Sequence, residues 1–434
     1  MTAVSSVTLS EWQSVDPDPD SVLSGRVLSG PRERALAELL ADARMLEVSE
    51  LRAGLSIRSF SYVGRVRLGD VEVTIQPKLE GVSLLHLLRY AYGFRKLNLL
   101  AEADQSLDRT GFADLIVAQL VAEVQELLTR GLHRAYVGQK DWLSSPRGMI
   151  DIGALARQGG FIDDRLPCVH HPRIEDTLLN RVLLGGLTLA EAVATDLGLR
   201  RQAHRLATVL SVTLPSIRLT LTLLDRATAS LNRLTSSYTS ATTLIRLLFE
   251  SQGVVLEDVT GDVKLPGFLF DMNRFFQALL ARFLRDNLHG YEVRDEHQLR
   301  GMVEFVPGYN PRNRQAPVPR PDFAIFDMGH PIAILDAKYR DLWERPLPRE
   351  MLYQLAMYAK PQHVKEATIL YPTMLDGAKE AWIVVRDPVF ADLKARINLR
   401  PVHLPLLEKL IADSTSASGT RAIERHARWL ITGH

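Results

Sequence analysis

The residues from 320 to 339, RPDFAIFDMGHPIAILDAKY, are mostly apolar but include the side chains of Asp322, Asp336 and Lys338. Two apolar runs, FAIFD and IAILDAKY, flank the turn-forming residues MGH. Apolar runs on either side of a short turn predict a β-hairpin. The second run is apolar on both of its alternating faces, which favours a strand that is covered on both sides.

The register of this hairpin decides which polar side chains meet. A three-residue loop at 328–330 pairs Asp327 with Pro331, and Asp322 then lies opposite Asp336. Directly opposed residues have Cβ atoms about 4.5–5.5 Å apart. Side chains alternate with a period of two residues, so Asp336 and Lys338 share one face of the sheet. The pattern therefore predicts that two carboxylates and one amine lie close together.

Two carboxylates at the end of a buried strand repel each other and lose hydration, so they remain ionised only if they share a cation. Oxygen ligands favour a hard ion, which predicts Mg²⁺, or Mn²⁺ in its place. Lys338 could then orient or deprotonate a water, or stabilise charge on a phosphate. In the alternative interpretation, Asp322 ends a strand, Asp336 and Lys338 are exposed at the sheet edge, and Lys338 pairs with either carboxylate. The order and spacing of the whole stretch favour the metal site.

The composition of the chain excludes several classes of protein. At 434 residues the chain is too long for one hydrophobic core, so two or three domains are expected. A net charge of +1 provides no general attraction to nucleic acid. The single cysteine, Cys168, excludes a disulfide framework within the chain and a four-cysteine metal site. The sequence shows no signal-peptide pattern and no membrane-spanning apolar stretch, so we expect a cytoplasmic protein without a membrane partner.

Hydrophobic periodicity divides the chain into three predicted regions. Residues 1–100 are β-rich, with a tight turn at Gly69-Asp70. Residues 101–255 are mainly helical, with one helix ending at Gly131. Residues 256–434 mix both element types, which is typical of an α/β domain. The elements predicted in this last region are a helix at 271–288, strands at about 290–306, the hairpin, a helix at 347–360, the strands ATILYP and AWIVVR, a linker STSASG and a short basic helix.

A family resemblance becomes visible when a second motif is added. Gln354 and Tyr358 are four residues apart and share a helical face, where they could pack beside the metal site or simply form a half-buried surface. Asp322, Asp336-Ala-Lys338 and Gln354-x-x-x-Tyr358 together resemble the PD-(D/E)xK nuclease core of RecB-like and McrC-type enzymes. Further stretches that resemble McrC are VTIQPKLEGVSLLHLLRYAYG (73–93), SSPRGMID (144–151), CVHHPRIEDTLLNRVLLGGL (168–187) and FLFDMNRFFQALL (268–280).

The resemblance covers most of the chain from about residue 55 and implies both a fold and a function. It implies a C-terminal α/β domain of the PD-(D/E)xK, restriction-endonuclease-like type. This domain would follow a β-rich and helical N-terminal region, of which residues 1–100 would dock on a partner. It also implies an McrC-type subunit of a type IV, modification-dependent McrBC restriction system. Such a subunit docks on a hexameric McrB-type AAA+ GTPase, stimulates its GTP hydrolysis and cuts modified double-stranded DNA. The chain has no Gly-Lys dipeptide and therefore no P-loop, so the motor is another polypeptide.

The resemblance also implies roles for individual residues. Asp322 and Asp336 would bind Mg²⁺, Lys338 would assist the attacking water, Gln354 would be an accessory residue and Tyr358 a supporting one. Many relatives have a Glu in the opening helix, where this chain has Gln277. A neutral amide supplies an oxygen ligand but no charge, so weaker metal binding is expected, unless an acid such as Glu304 substitutes.

Two alternative functions follow from the departure at Gln277 and from the RecB-like motif. The chain could be a catalytically degenerate subunit that only activates its GTPase partner. It could also be a stand-alone RecB-like DNA repair exonuclease, although the lack of cysteines argues against the iron–sulfur branch of that group.

Two other clusters of side chains are candidate sites. Cys168, His170 and His171 lie within four residues, but a zinc site also needs a second ligand pair, and none is evident. Three arginines interleaved with prolines precede the hairpin, and they could bind phosphates near the metal or form a solvated loop. These arginines are Arg312, Arg314 and Arg320.

Overall fold

The computed structural model describes residues 5–78, 81–94, 112–157, 164–251, 267–359, 365–387, 389 and 392–434. The chain divides into two compact units, of which the first combines Met1–Lys96 with Leu269–His434 and the second is Leu97–Phe268. The first unit is therefore built from two segments that are distant in sequence. The predicted boundaries after residues 100 and 255 lie outside the described residues.

The N-terminal segment of the first unit is β-rich. Its predicted hairpin is confirmed, because Leu68 pairs with Val71 across the turn Gly69-Asp70, where Gly69 adopts a φ of +59°. The elements are β1 (Ser5–Ser10), β2 (Ser14–Val15), α1 (Pro31–Asp42), β3 (Leu46–Leu51), β4 (Gly54–Ser59), β5 (Tyr62–Leu68), β6 (Val71–Gln76) and α2 (Gly81–Tyr92). Strands β1, β6 and β5 are neighbours in one sheet, in that order, and β2, β4 and β3 form another.

The second unit is mainly helical. The predicted end of its first helix is confirmed, because Gly131 follows Arg130 with a φ of +89°. Asn180 is fully buried, donates to the carbonyl oxygens of His133 and Glu175, and accepts a 2.7 Å hydrogen bond from the Tyr238 hydroxyl. The elements are α3 (Phe112–Arg130), β7 (Ala135–Tyr136), β8 (Gln139–Leu143), β9 (Met149–Ile150), α4 (Ile152–Arg157), β10 (Leu166–His170), β11 (Arg173–Ile174), α5 (Leu178–Val193), α6 (Leu197–Ser211), α7 (Leu221–Ala229), a 3₁₀ turn (Ser236–Tyr238) and α8 (Thr239–Ser251).

The C-terminal segment of the first unit contains a six-stranded mixed sheet. The elements are β12 (Gly267–Asp271), α9 (Met272–Asn287), β13 (Glu292–Asp295), β14 (Phe323–Asp327), β15 (His330–Ala337), α10 (Arg349–Ala359), β16 (Glu366–Thr373), β17 (Ala381–Arg386), β18 (Leu393–His403), α11 (Leu404–Ala412), a 3₁₀ turn (Asp413–Thr415) and α12 (Ala417–Thr432). The strand order is β13-β14-β15-β16-β18-β17, so β15 is an interior strand. Its residues 334–337, which alternate between the two faces of the sheet, are all buried, as the apolar faces predict.

The hairpin forms with the predicted register but with a different turn. Asp327 pairs with His330 rather than Pro331, so the loop has two residues, Met328 and Gly329, both with positive φ. Positive φ at both positions is the geometry of the tight turns that match the twist of hairpin strands. A bulge on β15 then shifts the pairing by one residue, and Phe323 lies opposite Leu335. The bulge restores the predicted register at the site.

Other predictions in this segment need correction. The strands predicted at 290–306 are wrong beyond Asp295, since β13 ends there and residues 296–322 form a long connection. Glu296 and Gly301 adopt positive φ, of +45° and +76°, which interrupts the extended backbone that a strand needs. The predicted STSASG linker is also wrong, because Ser416 accepts a hydrogen bond from Gly419 and caps α12. Within the described ranges, no helix combines the length and hydrophobicity needed to cross a membrane.

A buried ion pair joins β18 to the residue that precedes β17. The side chain of Arg400, in β18, is 1% exposed and donates to one Glu380 oxygen at 2.6 and 3.0 Å and to the carbonyl oxygen of Leu430 at 2.8 Å. A buried guanidinium that loses its carboxylate costs far more than a broken surface pair.

We expect Glu380→Ala to lower the free energy of unfolding by about 3 kcal/mol, because Arg400 would stay buried without a counter-charge. The matched control is Glu292→Ala, which breaks an exposed Arg–Glu pair with Arg294 and should leave the free energy of unfolding close to that of the wild type. Urea unfolding of the full chain, followed by circular dichroism, measures both. Equal midpoints for the two variants would contradict a stabilising buried pair.

Candidate metal centre

The two strands of the hairpin bring Asp322, Asp336 and Lys338 together. Asp322 immediately precedes β14 and Asp336 is the penultimate residue of β15. The backbone N–H of Ala337 donates to Asp322 Oδ2 at 2.7 Å, which ties the two strand ends to each other. Lys338 Nζ lies 2.9 Å from Asp336 Oδ2 and 3.9 Å from Asp322 Oδ2. The ammonium of Lys338 is therefore within reach of both carboxylates.

The Asp336 carboxylate is the most buried group of this cluster. Its side chain is 1% exposed, against 18% for Asp322 and 23% for Lys338. Among the described residues, neither Asp336 oxygen has a hydrogen bond of ordinary geometry, although the ammonium of Lys338 is 2.9 Å away. A buried carboxylate without hydrogen bonds is destabilising, and a bound cation is one partner that would remove this cost.

Burial and the neighbouring charges shift the pKa values of Asp322 and Lys338. Burial, followed by the charge of Asp336, raises the pKa of Asp322 to about 7. Burial lowers the pKa of Lys338, but the charges of Asp336 and Asp322 outweigh this effect and raise it. Lys338 is therefore a protonated hydrogen-bond donor at neutral pH, while Asp322 titrates near neutrality.

Gln277 of α9 also reaches this cluster. Its side chain is hydrogen-bonded to Asp322, and this bond lowers the Asp322 pKa. An ionised carboxylate only accepts hydrogen bonds, so the amide of Gln277 donates to it. Glu304, which the sequence offered as a substitute acid, is exposed in the connection between β13 and β14. In the ranges that the structure describes, no three His, Cys, Asp or Glu side chains form a possible metal site.

The donor set fits a hard divalent cation. Asp322 and Asp336 supply two carboxylates, and the amide of Gln277 carries an oxygen that could join them after rotation. The unsatisfied oxygens of Asp336 are the observation that favours a cation here. The absence of a third carboxylate is consistent with weaker binding than a three-acid site would give.

Gln354 and Tyr358 lie in α10, against the same hairpin. Gln354 Nε2 donates to the Tyr358 hydroxyl at 2.7 Å, and that hydroxyl donates to the carbonyl oxygen of Arg320 at 3.2 Å. Tyr358 is buried in the core with Ala324 and Ile334 of the hairpin. The pair therefore holds the segment that leads into Asp322. Gln354 itself is exposed.

The residue after Lys338 is fixed by side chains that sequence reasoning did not identify. The N–H of Tyr339 donates to Asn273 Oδ1 at 3.3 Å, and its carbonyl oxygen accepts from the indole of Trp12 at 3.1 Å. Its hydroxyl donates to the buried carboxylate of Glu11 at 3.2 Å. Burial raises the pKa of Glu11 to about 7. Trp12 and Tyr339 are 327 positions apart, so no local pattern could have paired them.

The cysteine and histidine cluster lies in the second unit. Cys168 is a free, buried thiol in β10, and His170 Nε2 lies 2.8 Å from Asp141 Oδ2. The histidine therefore pairs with a carboxylate on the neighbouring strand β8.

We expect Asp322→Asn to stabilise the chain in the presence of a chelator, and only at neutral or alkaline pH. The raised Asp322 pKa means that the native state binds the proton more tightly than the unfolded state between pH 3.8 and about 7. The wild type thus loses stability as pH rises through this range, by about 1–3 kcal/mol. The side-chain amide of the variant does not ionise, so the variant does not lose this stability as the pH rises.

Thermal unfolding with EDTA at pH 5 and pH 8 tests this prediction. The melting temperature of Asp322→Asn should exceed that of the wild type at pH 8 and approach it at pH 5. Asp327→Asn, at the turn end of the same hairpin, is the matched control and should show no such dependence. A lower melting temperature for Asp322→Asn at pH 8 would contradict the proposed repulsion.

The chain is similar to known proteins in both sequence and fold. A family model described as "McrBC 5-methylcytosine restriction system component" matches residues 57–372. No curated protein matches the chain significantly. The fold resembles a chain from the structure described as a "refined half-complex from tetradecameric assembly of Thermococcus gammatolerans McrB AAA+ hexamers with bound McrC". That chain is 18% identical with a TM-score of 0.60, and the alignment covers 98% of this chain and 100% of that one.

A second structure, the cryo-EM structure of the Thermococcus gammatolerans McrBC complex, has a chain that is 20% identical with a TM-score of 0.45. That alignment covers 67% of this chain and 90% of the other. The family model, by contrast, spans well over half of the chain and includes Asp322, Asp336, Lys338 and both residues of the α10 motif. The chain belongs to the family of McrBC 5-methylcytosine restriction system components.

Proposed function

We propose that the chain is the Mg²⁺-dependent DNA endonuclease subunit of a GTP-dependent, modification-dependent restriction complex, with a nuclease core of the PD-(D/E)xK type. The observation that carries the proposal is the buried Asp336 carboxylate beside Asp322: among the described residues its Oδ1 has no partner, and its Oδ2 faces only the ammonium of Lys338, 2.9 Å away. Membership of the McrBC family supports the restriction function.

The roles of the residues follow from their charges. Asp322 and Asp336 would hold Mg²⁺ or Mn²⁺, which would stabilise negative charge on the scissile phosphate and activate a water. Lys338, whose ammonium lies 2.9 Å from Asp336 Oδ2, would act as a hydrogen-bond donor to the phosphate or the water. Gln277 would hold Asp322 through its hydrogen bond. Tyr358 would position Asp322 through the carbonyl oxygen of Arg320.

The partner would be an McrB-type AAA+ GTPase hexamer, whose GTP hydrolysis this chain would stimulate. The similar fold in the Thermococcus gammatolerans assembly of McrB hexamers with bound McrC supports this assignment. The absence of a P-loop motif from the sequence is consistent with a separate motor. We propose that residues 1–100 include the docking surface. Glu11 is buried against Tyr339, so its side chain does not contribute to that surface.

A second candidate function rests on Gln277. A site with two carboxylates and an amide, rather than three acids, could have lost cleavage while keeping its structure. The chain would then activate the GTPase ring without cutting DNA.

We expect the chain, its AAA+ partner, GTP and Mg²⁺ to cleave a long methylated duplex. Asp336→Ala should reduce cleavage at least roughly a hundredfold, the effect typical of losing a catalytic group. Asp327→Ala, in the same hairpin, is the matched control and should cleave normally. GTP hydrolysis, measured in the same reactions, should be equal in all three proteins.

The outcomes separate the candidate functions. If neither the wild type nor Asp336→Ala cleaves but both stimulate GTP hydrolysis, the degenerate subunit is correct. Cleavage of linear but not circular DNA without GTPase or GTP would instead indicate a stand-alone exonuclease. Binding of Mn²⁺, measured by calorimetry, should be present in the wild type and Asp327→Ala and absent in Asp336→Ala, which tests the metal site independently of cleavage.

A further inference from the structure

The connection between β13 and β14 is a long loop that begins and ends beside Asp322. Because Asp295 pairs with Phe323, residues 296–322 leave the sheet and return to it at the same point. We call residues 296–322 the arginine loop. A connection of this length without helices or strands is uncommon in compact domains and is usually functional when ordered.

The base of the arginine loop is closed by backbone hydrogen bonds. The N–H of Glu296 donates to the carbonyl oxygen of Asp322 at 2.9 Å, and the N–H of Leu299 donates to that of Pro319 at 3.0 Å. These two bonds hold the ends of the loop together, so residues 300–318 lie between closed ends. The closed ends include Asp322, a residue of the candidate metal centre.

The segment between the closed ends has hydrogen bonds of its own. Asn310 donates to the carbonyl oxygen of Arg314 and accepts from its N–H, both at 2.9 Å. Five prolines between 307 and 321 further restrict the backbone. The turn that contains Arg312 is therefore closed by its own hydrogen bonds.

The charge of the arginine loop has one sign over most of its length. Residues 305–321 contain three arginines and no acidic residue, although the whole chain has a net charge of only +1. Arg312, Arg314 and Arg320 are exposed, and none of them has an ion pair with any residue that the structure describes. Exposed arginines without carboxylate partners are available for phosphate groups.

The loop also presents aromatic side chains to solvent. Phe305 is 44% exposed and Tyr309 is 79% exposed, on either side of Gly308. Arginines combined with exposed rings are typical of surfaces that bind nucleic acid, where rings contact bases and arginines contact the backbone. An acidic protein surface would match the charge, but it would not explain why the loop starts at the metal centre.

We propose that the arginine loop is the DNA-backbone contact of the nuclease centre, with Arg312, Arg314 and Arg320 binding phosphates on the strand to be cut. This inference rests on the proposed nuclease function and identifies the surface that the substrate occupies. The three arginines offset the repulsion between the phosphates and the carboxylates of Asp322 and Asp336. Arg320 is the closest of the three in sequence, two residues before Asp322.

Binding of the full chain to a fluorescent 30-base-pair duplex, in Ca²⁺ so that binding is measured apart from cleavage, tests the proposal. We expect the triple variant Arg312→Ala, Arg314→Ala, Arg320→Ala to weaken binding at least about tenfold at low salt. The slope of log affinity against log salt should fall by about 0.9 for each phosphate that the variant no longer binds. The substitution at 320 retains the backbone carbonyl that accepts from Tyr358.

A matched control removes three exposed arginines elsewhere. Arg52→Ala, Arg201→Ala, Arg205→Ala changes the net charge by the same amount, and these side chains are exposed. The control should bind DNA with the wild-type affinity and salt slope. Equal losses of affinity in both triple variants would show a general charge effect and overturn the proposal.

The remaining outcomes distinguish this proposal from the nuclease function itself. A loop variant that binds DNA normally but no longer stimulates the GTPase would assign the arginines to the partner protein and overturn the proposal, as would a wild-type chain that binds no DNA. If the wild type binds DNA through the loop but Asp336→Ala cuts as well as the wild type, the loop assignment stands and the proposed catalytic site is wrong.

Discussion

The repulsion between two buried carboxylates is the constraint on which the candidate site depends. Asp336 has almost no exposure and no hydrogen bond of ordinary geometry among the described residues, and the charge of Asp336 helps to raise the pKa of Asp322 to about 7. Such an arrangement persists only when the surrounding structure enforces it. Here the enforcement comes from a central strand with neighbours on both sides and from the N–H of Ala337. The fold thus holds together charges that would otherwise separate.

The sequence predicted that these side chains lie close together because the residues that form the hairpin are contiguous in the chain. Alternating apolar residues, a turn and three polar positions within twenty residues determine both strands and their register. The turn itself was mispredicted, since Met328-Gly329 forms a two-residue loop, and a bulge on β15 compensated for the shift. A bulge depends on how a strand fits its neighbours, which the sequence of one hairpin does not contain.

Features that depend on distant residues could not be predicted in this way. The bonds from Trp12 and Glu11 to Tyr339 join positions more than 320 residues apart. Strand β18 contains the buried Arg400, and the carboxylate that balances its charge belongs to Glu380, outside the strand, so the sequence of the strand alone does not show how this charge is satisfied. The hydrogen bond between Gln277 and Asp322 likewise shows how an amide can serve the site, although the sequence indicated only that a charge was missing.

The first unit is assembled from the two ends of the described chain, with the second unit encoded between them. A ribosome therefore releases Glu11 and Trp12 long before Lys338 and Tyr339 are made. Domains generally fold as units during synthesis, and this one lacks half of its strands until its last segment emerges. Glu11 and Trp12 therefore have no contact with Tyr339 until the C-terminal segment has been synthesised. Until that segment is made, a nascent chain would have neither the carboxylates of the candidate metal centre nor the contacts that hold Tyr339.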